Sequence, residues 1–196
     1  MTTLTSTKTA VAPAPAQVQM FVADSAKLSS STHLPSLHSL ALQILHNLQY
    51  QHYWTDLKVH THSPLTKEPL SRPLVTGLPP QRLYVHPDEQ VELLKNADRQ
   101  RKAAQAAGEK SGLEVKAQPE LEWVLPTRLN EQWTLRRLAE VFDDISMVPP
   151  QTSAAAQKAP ANPWRTTKRV VLATVDTDST VVYYIMHDGV VKPRQN

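Results

Sequence analysis

The sequence predicts a mixed α/β domain, with helices packed on a mostly antiparallel sheet. Leu37, Leu40, Ala41, Ile44, Leu45 and Leu48 recur at i, i+3, i+4, i+7, i+8 and i+11, which is one apolar face of a helix. Two runs rich in β-branched and aromatic residues, Val170–Val175 and Thr180–Met186, flank the polar link Asp176-Thr177-Asp178-Ser179. That is the pattern of a β-hairpin. Between these landmarks the periods change in the order helix, strand, strand, helix, strand, helix, hairpin, with no internal repeat.

A chain of 196 residues is long enough for one domain with a sizeable core. Sixteen prolines against four glycines, with many Ser, Thr and Ala, place part of it outside that core. There is no cysteine, so disulfides and Cys-based metal sites are excluded. A net charge of +3 gives a nucleic-acid partner little support. No apolar run approaches the ~20 residues that span a membrane. Residues 1–16 lack the apolar stretch of a signal peptide. These features predict a soluble, intracellular protein.

Residues 1–33 read as a disordered Ser/Thr/Ala/Pro-rich arm without arginine, and 34–196 as a single domain. The first helix is expected from Pro35 to Tyr53, capped by Thr32. Trp54–His62 is a strand with Leu57, Val59 and Thr61 inward and Asp56, Lys58, His60 and His62 wet. Residues 63–80 hold Pro64, Pro69, Pro73, Pro79 and Pro80 and read as a flexible loop. Arg82–Val85 is a short strand. A helix then opens at His86-Pro87-Asp88-Glu89, with Val91, Leu94 and either Ala97 or Asp98 inward and Lys95, Arg99, Arg101 and Lys102 towards its end, complementing the helix dipole. Residues 108–119 form a second loop. Leu121–Leu125 is a strand stopped by Pro126, followed by a helix from Asn130 to Ile145. Asn130 caps that helix, and Trp133, Leu138, Val141, Phe142 and Ile145 face inward. Residues 146–168 read as a disordered insertion ending in the basic lead Trp164-Arg165-Thr166-Thr167-Lys168-Arg169. Both hairpin strands are apolar at nearly every position, so both of their faces should be covered.

A strand ending Ala173-x-Val175, the acidic link Asp176-x-Asp178 and the run Ser179-Thr180-Val181-Val182-Tyr183-Tyr184 resemble the C-terminal hairpin of the tRNA-splicing endonuclease family. The continuation through Asp188-Gly189 to Pro193 is similar to the smallest, non-catalytic Sen subunit, of Sen-fifteen type and fungal. So are Val124-Leu125-Pro126-Thr127 ahead of a helix and the Leu-rich helix ending in Tyr53-Trp54. The resemblance is specific over roughly the last 75 residues. Residues 1–33 have no counterpart.

The resemblance implies the nuclease-like fold of that family without its chemistry. Metal-independent RNA cleavage needs a base, an acid and a cation for the phosphorane charge, which the catalytic subunits supply with Tyr, His and Lys. Here the stretch ahead of the last helix, Trp123–Asn130, contains none of these. No catalytic residue, metal or cofactor is expected. The family pairs subunits through C-terminal strands, here Thr180, Val181, Val182, Tyr183, Tyr184, Ile185 and Met186. An apolar strand left at a sheet edge invites such pairing on physical grounds alone. Asp176 and Asp178 match an acidic docking loop, although an ordinary Asp-rich turn reads the same way. The implied partners are a catalytic subunit of Sen-thirty-four type, the other Sen subunits in a heterotetramer, and precursor tRNA indirectly. The implied compartment is the nucleus, with the cytosolic face of mitochondria as the alternative. A homodimer through the same edge is open to the isolated chain.

Arg165, Lys168 and Arg169 lie beside the expected assembly face and are candidate RNA contacts. Lys95/Arg99/Arg101/Lys102 and Arg136/Arg137 read as solvated helix faces. Tyr183 and Tyr184 could each stack on a base, but strand neighbours face opposite ways and form no joint platform. His60 and His62 share a strand face as two metal ligands could, without a third at metal spacing. His187 beside Asp188 reads as a solvated turn residue. Two other functions compete with the structural-subunit reading. A divergent stand-alone nuclease would cut precursor tRNA unaided. A stand-alone RNA-binding module would bind with salt-dependent affinity.

Overall fold

The computed structural model describes residues 16–17, 19–20, 33–106, 112, 115, 117–151 and 162–189. Their main elements run α1 (Pro35–Tyr50), β1 (Thr55–His62), β2 (Pro69–Leu78), α2 (Pro87–Ala106), β3 (Glu122–Arg128), α3 (Leu135–Asp144), β4 (Arg169–Val175) and β5 (Val181–His187). The strands form a five-stranded sheet in the order β1-β2-β3-β4-β5. Every pair is antiparallel except β3 and β4. A parallel pair needs a long crossover, which α3 and the chain after it supply. The mixed α/β class with a mostly antiparallel sheet is thus as expected.

Alternation along the strands splits the core in two. Val75, Val124, Val171, Ala173 and Val175 pack against Leu40, Ala41, Ile44 and Leu48 of α1. Leu74, Trp123, Leu125 and Val170 face the other way, onto Val141 and Phe142 of α3 and Ile145 just beyond it. Helices on both faces explain why β3 and β4 carry apolar residues without alternation. Gly77 sits in β2 beside β1, under the side chains of Leu57 and Trp54. A Cβ there would lie 2.6 Å from Leu57 Cδ2 and 2.9 Å from Trp54 Cε3, so the close approach excludes a side chain.

Several expectations need correction. Residues 63–80 are not a loop: β2 occupies Pro69–Leu78 and buries Leu70, Leu74 and Val75. The prolines are tolerated because of where they fall. Pro69 opens the strand, and Pro73 lies in an irregularity where His60 pairs with Leu74 but His62 with Pro69. No ladder bond is asked of Pro73 there. Pro126 likewise does not stop β3, which runs on to Arg128. β2 leaves β3 beyond Val124, and the Arg72 guanidinium takes over that side, donating to the Pro126 carbonyl at 2.6 Å. The missing proline N–H faces no strand.

Helix boundaries also move. α1 ends at Tyr50, and Leu34 at its N-cap makes no side-chain bond; Thr32 lies outside the described residues. Asn130 is in a turn, and α3 starts at Leu135 with Thr134 Oγ1 accepting from the Arg137 N–H at 3.3 Å. Trp133 is off the helix, with the guanidiniums of Arg72 and Arg137 at 5.0 and 4.7 Å from its ring. Arg82–Val85 is irregular rather than a strand. Val91 and Leu94 of α2 are exposed, and only Ala97 is buried. Residues 162–168 are built into the domain and 146–151 flank it, whereas 152–161 lie outside the described residues. The expected arm, apart from 16–17, 19–20 and 33, lies outside them too.

His60 is not wet. It is buried at the β1–β2 pairing, with Nε2 2.9 Å from Thr76 Oγ1 and its ring edge-on to Trp123. Burial, and then the Lys58 charge, push its pKa down to about 4 from 6.5. Below pH 6.5 the unfolded chain takes up a proton that the folded chain refuses, so stability falls as pH drops from 6.5 towards 4. This residue should account for up to ~3 kcal/mol of that loss. Urea midpoints across the window should therefore fall more steeply for wild type than for His60→Gln. Parallel pH profiles would contradict this.

Candidate assembly edge

Among the described residues β5 pairs with β4 alone, in a register running from Val175↔Val181 to Arg169↔His187. Two bonds flanking the ladder fix its phase. Asp176 N–H donates to the Thr180 carbonyl and Asp188 N–H to the Lys168 carbonyl, each at 2.9 Å. Antiparallel neighbours exchange bonds at every second residue. Val182, Tyr184 and Met186 therefore turn their backbone to β4. Val181, Tyr183, Ile185 and His187 turn theirs to the free edge.

The side chains divide differently. Val181 and Tyr183 pack on the α1 core, and Met186 on the α3 core. The Tyr183 hydroxyl donates to Asn47 Oδ1 at 2.5 Å, and its ring meets His52 edge-on. Burial pushes that phenol well above its ordinary value. Tyr183 thus anchors the strand to α1. On the opposite face Val182 and Tyr184 are 43% and 60% exposed, and Ile185 is 38% exposed on the α1 side. Among the described residues the edge presents backbone groups with no strand partner, beside exposed apolar side chains on both faces.

The turn into β5 is built by its own carboxylates. Asp176 Oδ1 accepts from Thr177 N–H at 2.6 Å, and Asp178 Oδ1 from Thr180 N–H at 2.8 Å. The Thr180 bonds hold the exposed Asp178 carboxyl below its usual range. Ser179 takes φ +70° to close the turn.

The two arginines of the basic lead into β4 are buried, and its Lys168 is half-buried. Arg165 and Arg169 are buried around Glu122, itself 1% exposed. Arg165 Nη2 donates to Glu122 Oε2 at 3.2 Å, Nη1 to the Leu121 carbonyl at 3.0 Å, and Nε to the Met147 carbonyl at 3.1 Å. Arg169 Nε donates to Glu122 Oε2 at 3.0 Å, Nη2 contacts Glu122 Oε1 as well, and Nη2 reaches Glu120 Oε2 at 2.8 Å. Arg82 joins Glu120 at 2.8 Å. Lys168 Nζ donates at 2.6 Å to the Phe142 carbonyl, a C-terminal group of α3 that lacks a helical partner. Burial pulls both buried arginines down. For Arg169 the Glu122 and Glu120 contacts more than reverse this, whereas Arg165 also feels the Arg169 charge and stays lowered. Arg165 and Arg169, expected as RNA contacts, are buried in internal ion pairs, and half-buried Lys168 is bonded to the end of α3. They lock the start of β4 and the end of α3 onto β3.

This cluster was missed in the sequence. Its signal was the alternation Glu120-Leu121-Glu122 ahead of an apolar strand, matched by Arg165 and Arg169 four residues apart. It also collects aromatics: Arg169 lies over Tyr84, Tyr84 meets His187, and Trp164 stacks on His86. His187 is accordingly half-buried rather than a solvated turn residue. Its pKa is lowered by burial, then by Arg169 and Arg165. His62 remains exposed, near Thr61 Oγ1, apart from the buried His60. Among the described residues no three His, Cys, Asp or Glu side chains are placed to hold a metal.

The family model described as Sen15 protein matches residues 43–196. A probable tRNA-splicing endonuclease subunit, tsp-1 of Neurospora crassa, is 42% identical over 176 residues, covering 87% of this chain and 70% of that protein. A probable tRNA-splicing endonuclease subunit, sen15 of Schizosaccharomyces pombe, is 33% identical over 88 residues, covering 44% of this chain and 59% of that protein.

Removing the carboxylate at the centre of the cluster leaves two buried cations short of a partner. Glu122→Ala should lose ~3–5 kcal/mol in urea denaturation, and Glu122→Gln, which keeps the shape and one of the two acceptor oxygens, should lose less. A loss below ~1 kcal/mol for the alanine variant would mean the cluster is not the clamp described.

Proposed function

This chain belongs to the Sen15 family, and from that membership we propose that it is a non-catalytic, structural subunit of a tRNA-splicing endonuclease. In this reading β5 adds itself to the sheet of a catalytic subunit, of the Sen-thirty-four type implied by the sequence resemblance. The subunit then supports intron excision from precursor tRNA by positioning a nuclease rather than by cutting. The free edge of β5 is the observation that carries it. Four residues offer backbone donors and acceptors there with no strand among the described residues to receive them, flanked by Val182, Tyr184 and Ile185. Strand addition satisfies those groups and buries those side chains in one step.

The acidic turn has a place in the same scheme. Asp176 and Asp178 project at the end of the hairpin, each with one oxygen engaged in the turn. A pair of preformed carboxylates on a fixed turn suits a basic groove on a further subunit, giving orientation more than affinity.

The ladder phase selects the test. Ile185→Pro removes an outward N–H and leaves every β4–β5 bond in place, a substitution an edge strand tolerates. Val182→Pro removes a bond to β4 and strains the domain itself. In co-purification with a Sen-thirty-four-type subunit, Ile185→Pro should keep a wild-type-like circular dichroism spectrum and lose at least roughly tenfold in affinity. A folded Ile185→Pro variant that binds as tightly as wild type would remove β5 as the interface.

A further inference from the structure

Most described cations of this chain are committed internally. Arg72 and Arg137 bind Glu131, Arg82 binds Glu89 and Glu120, Arg165 and Arg169 bind Glu120 and Glu122, and Arg136 meets Glu140. The distal half of α2 is different. This 20-residue helix belongs to neither core cluster and buries only Ala97. Lys95, Arg99 and Lys102 stand at i, i+4 and i+7, on one side of the helix, and all three are exposed. At 3.6 residues per turn Ala97 falls on the opposite side. Asp98 holds Arg101 and Lys102, both at 2.7 Å. Lys95 and Arg99 have no carboxylate partner among the described residues.

Charge concentrates in the same stretch. Between positions 95 and 116 the sequence carries Lys95, Arg99, Arg101, Lys102, Lys110 and Lys116 against Asp98, Glu109 and Glu114. That excess of three equals the +3 of the entire chain. From Lys95 to Lys102 the sequence K-N-A-D-R-Q-R-K has no aromatic or large apolar residue, and one turn earlier the same side carries a single exposed apolar residue, Val91, beside Glu92. A protein-docking face is expected to have such anchors, whereas contact with a phosphate backbone needs only cations that reach it.

We propose that the Lys95–Arg99–Lys102 face of α2 contacts the phosphate backbone of a folded RNA, independently of its sequence. This rests on the chain being a subunit of an RNA-processing enzyme and names the part of it that meets the substrate class. The contact is one of charge and shape, with no base-reading group on that face.

The test uses the full chain and a folded precursor tRNA, with binding followed by fluorescence anisotropy across a salt series. Between about 50 and 200 mM salt, wild-type affinity should fall roughly tenfold further than that of Lys95→Ala/Arg99→Ala, because two phosphate contacts are gone. An unrelated RNA duplex should compete equally well. The charge-matched variant Lys58→Ala/Lys67→Ala, altered around β1, should behave as wild type. The proposal is overturned by three results: equal salt dependence in the α2 variant and wild type, an equal loss in the β1 control, or absent wild-type binding at the lowest salt. Co-purification of the α2 variant with the catalytic subunit is the separate arm. If that association fails while RNA binding stays intact, the face docks protein and the RNA contact is wrong. If wild type binds RNA but never the catalytic subunit, the structural-subunit reading falls and the RNA contact stands.

Discussion

A carboxylate with 1% of its surface exposed cannot remain charged in a protein core without partners, and Glu122 has two arginines. Much of the architecture follows from meeting that demand. Glu122 opens β3, Arg169 opens β4, and their contact sets the two strands side by side at the end where parallel pairing begins. Arg165 brings the segment before β4 down onto the same carboxylate, and Lys168 closes the end of α3. Glu120 extends the cluster to Arg82 and so to the segment leading into α2. A parallel step in an otherwise antiparallel sheet is costly to close because its crossover is long. Here the crossover is tied at its far end by buried charge.

Once β4 is fixed next to β3, β5 pairs with it and, among the described residues, becomes an edge. Tyr183 then decides how it sits, since its hydroxyl is bonded to Asn47 of α1. The strand is held firmly from one side while its outer backbone groups stay open. An edge of this kind is an aggregation liability unless something covers it. The contrast with the opposite edge supports that view. β1 is broken by register shifts, carries Asp56, Lys58 and His62, and takes φ +51° at Asp56. These features discourage pairing on that side. The sheet thus has one blunted edge and one regular, apolar edge. The proposed subunit pairing uses the regular one.

The parts of this fold legible in the sequence are those whose period is strong and local. The stripe Leu40, Ala41, Ile44, Leu48 and the hairpin runs around Asp176–Ser179 need no distant partner to be read. The parts that were not legible depend on residues far apart in the chain. Pro73 and Pro126 argue against strands until the β1–β2 irregularity and the Arg72 guanidinium are known. Arg165 and Arg169 look like surface charge because the carboxylates that neutralise them lie 43 to 49 residues earlier. The candidate site was half legible. Composition marks Thr180–Met186 as a strand suited to pairing, but not which of its residues face outward. That depends on a register anchored by Asp176 and Asp188, which makes Ile185 rather than Val182 the position where a proline spares the β4–β5 ladder.

Amide hydrogen exchange, read residue by residue on the isolated chain and again after addition of a Sen-thirty-four-type catalytic subunit, tests the central claim most directly. In the isolated chain the amides of Val182, Tyr184 and Met186 should be protected by β4, while those of Val181, Tyr183, Ile185 and His187 exchange quickly. With the partner present, the second set should slow to match the first. If the outward amides still exchange quickly in a stable complex, β5 is not the strand that joins the two subunits.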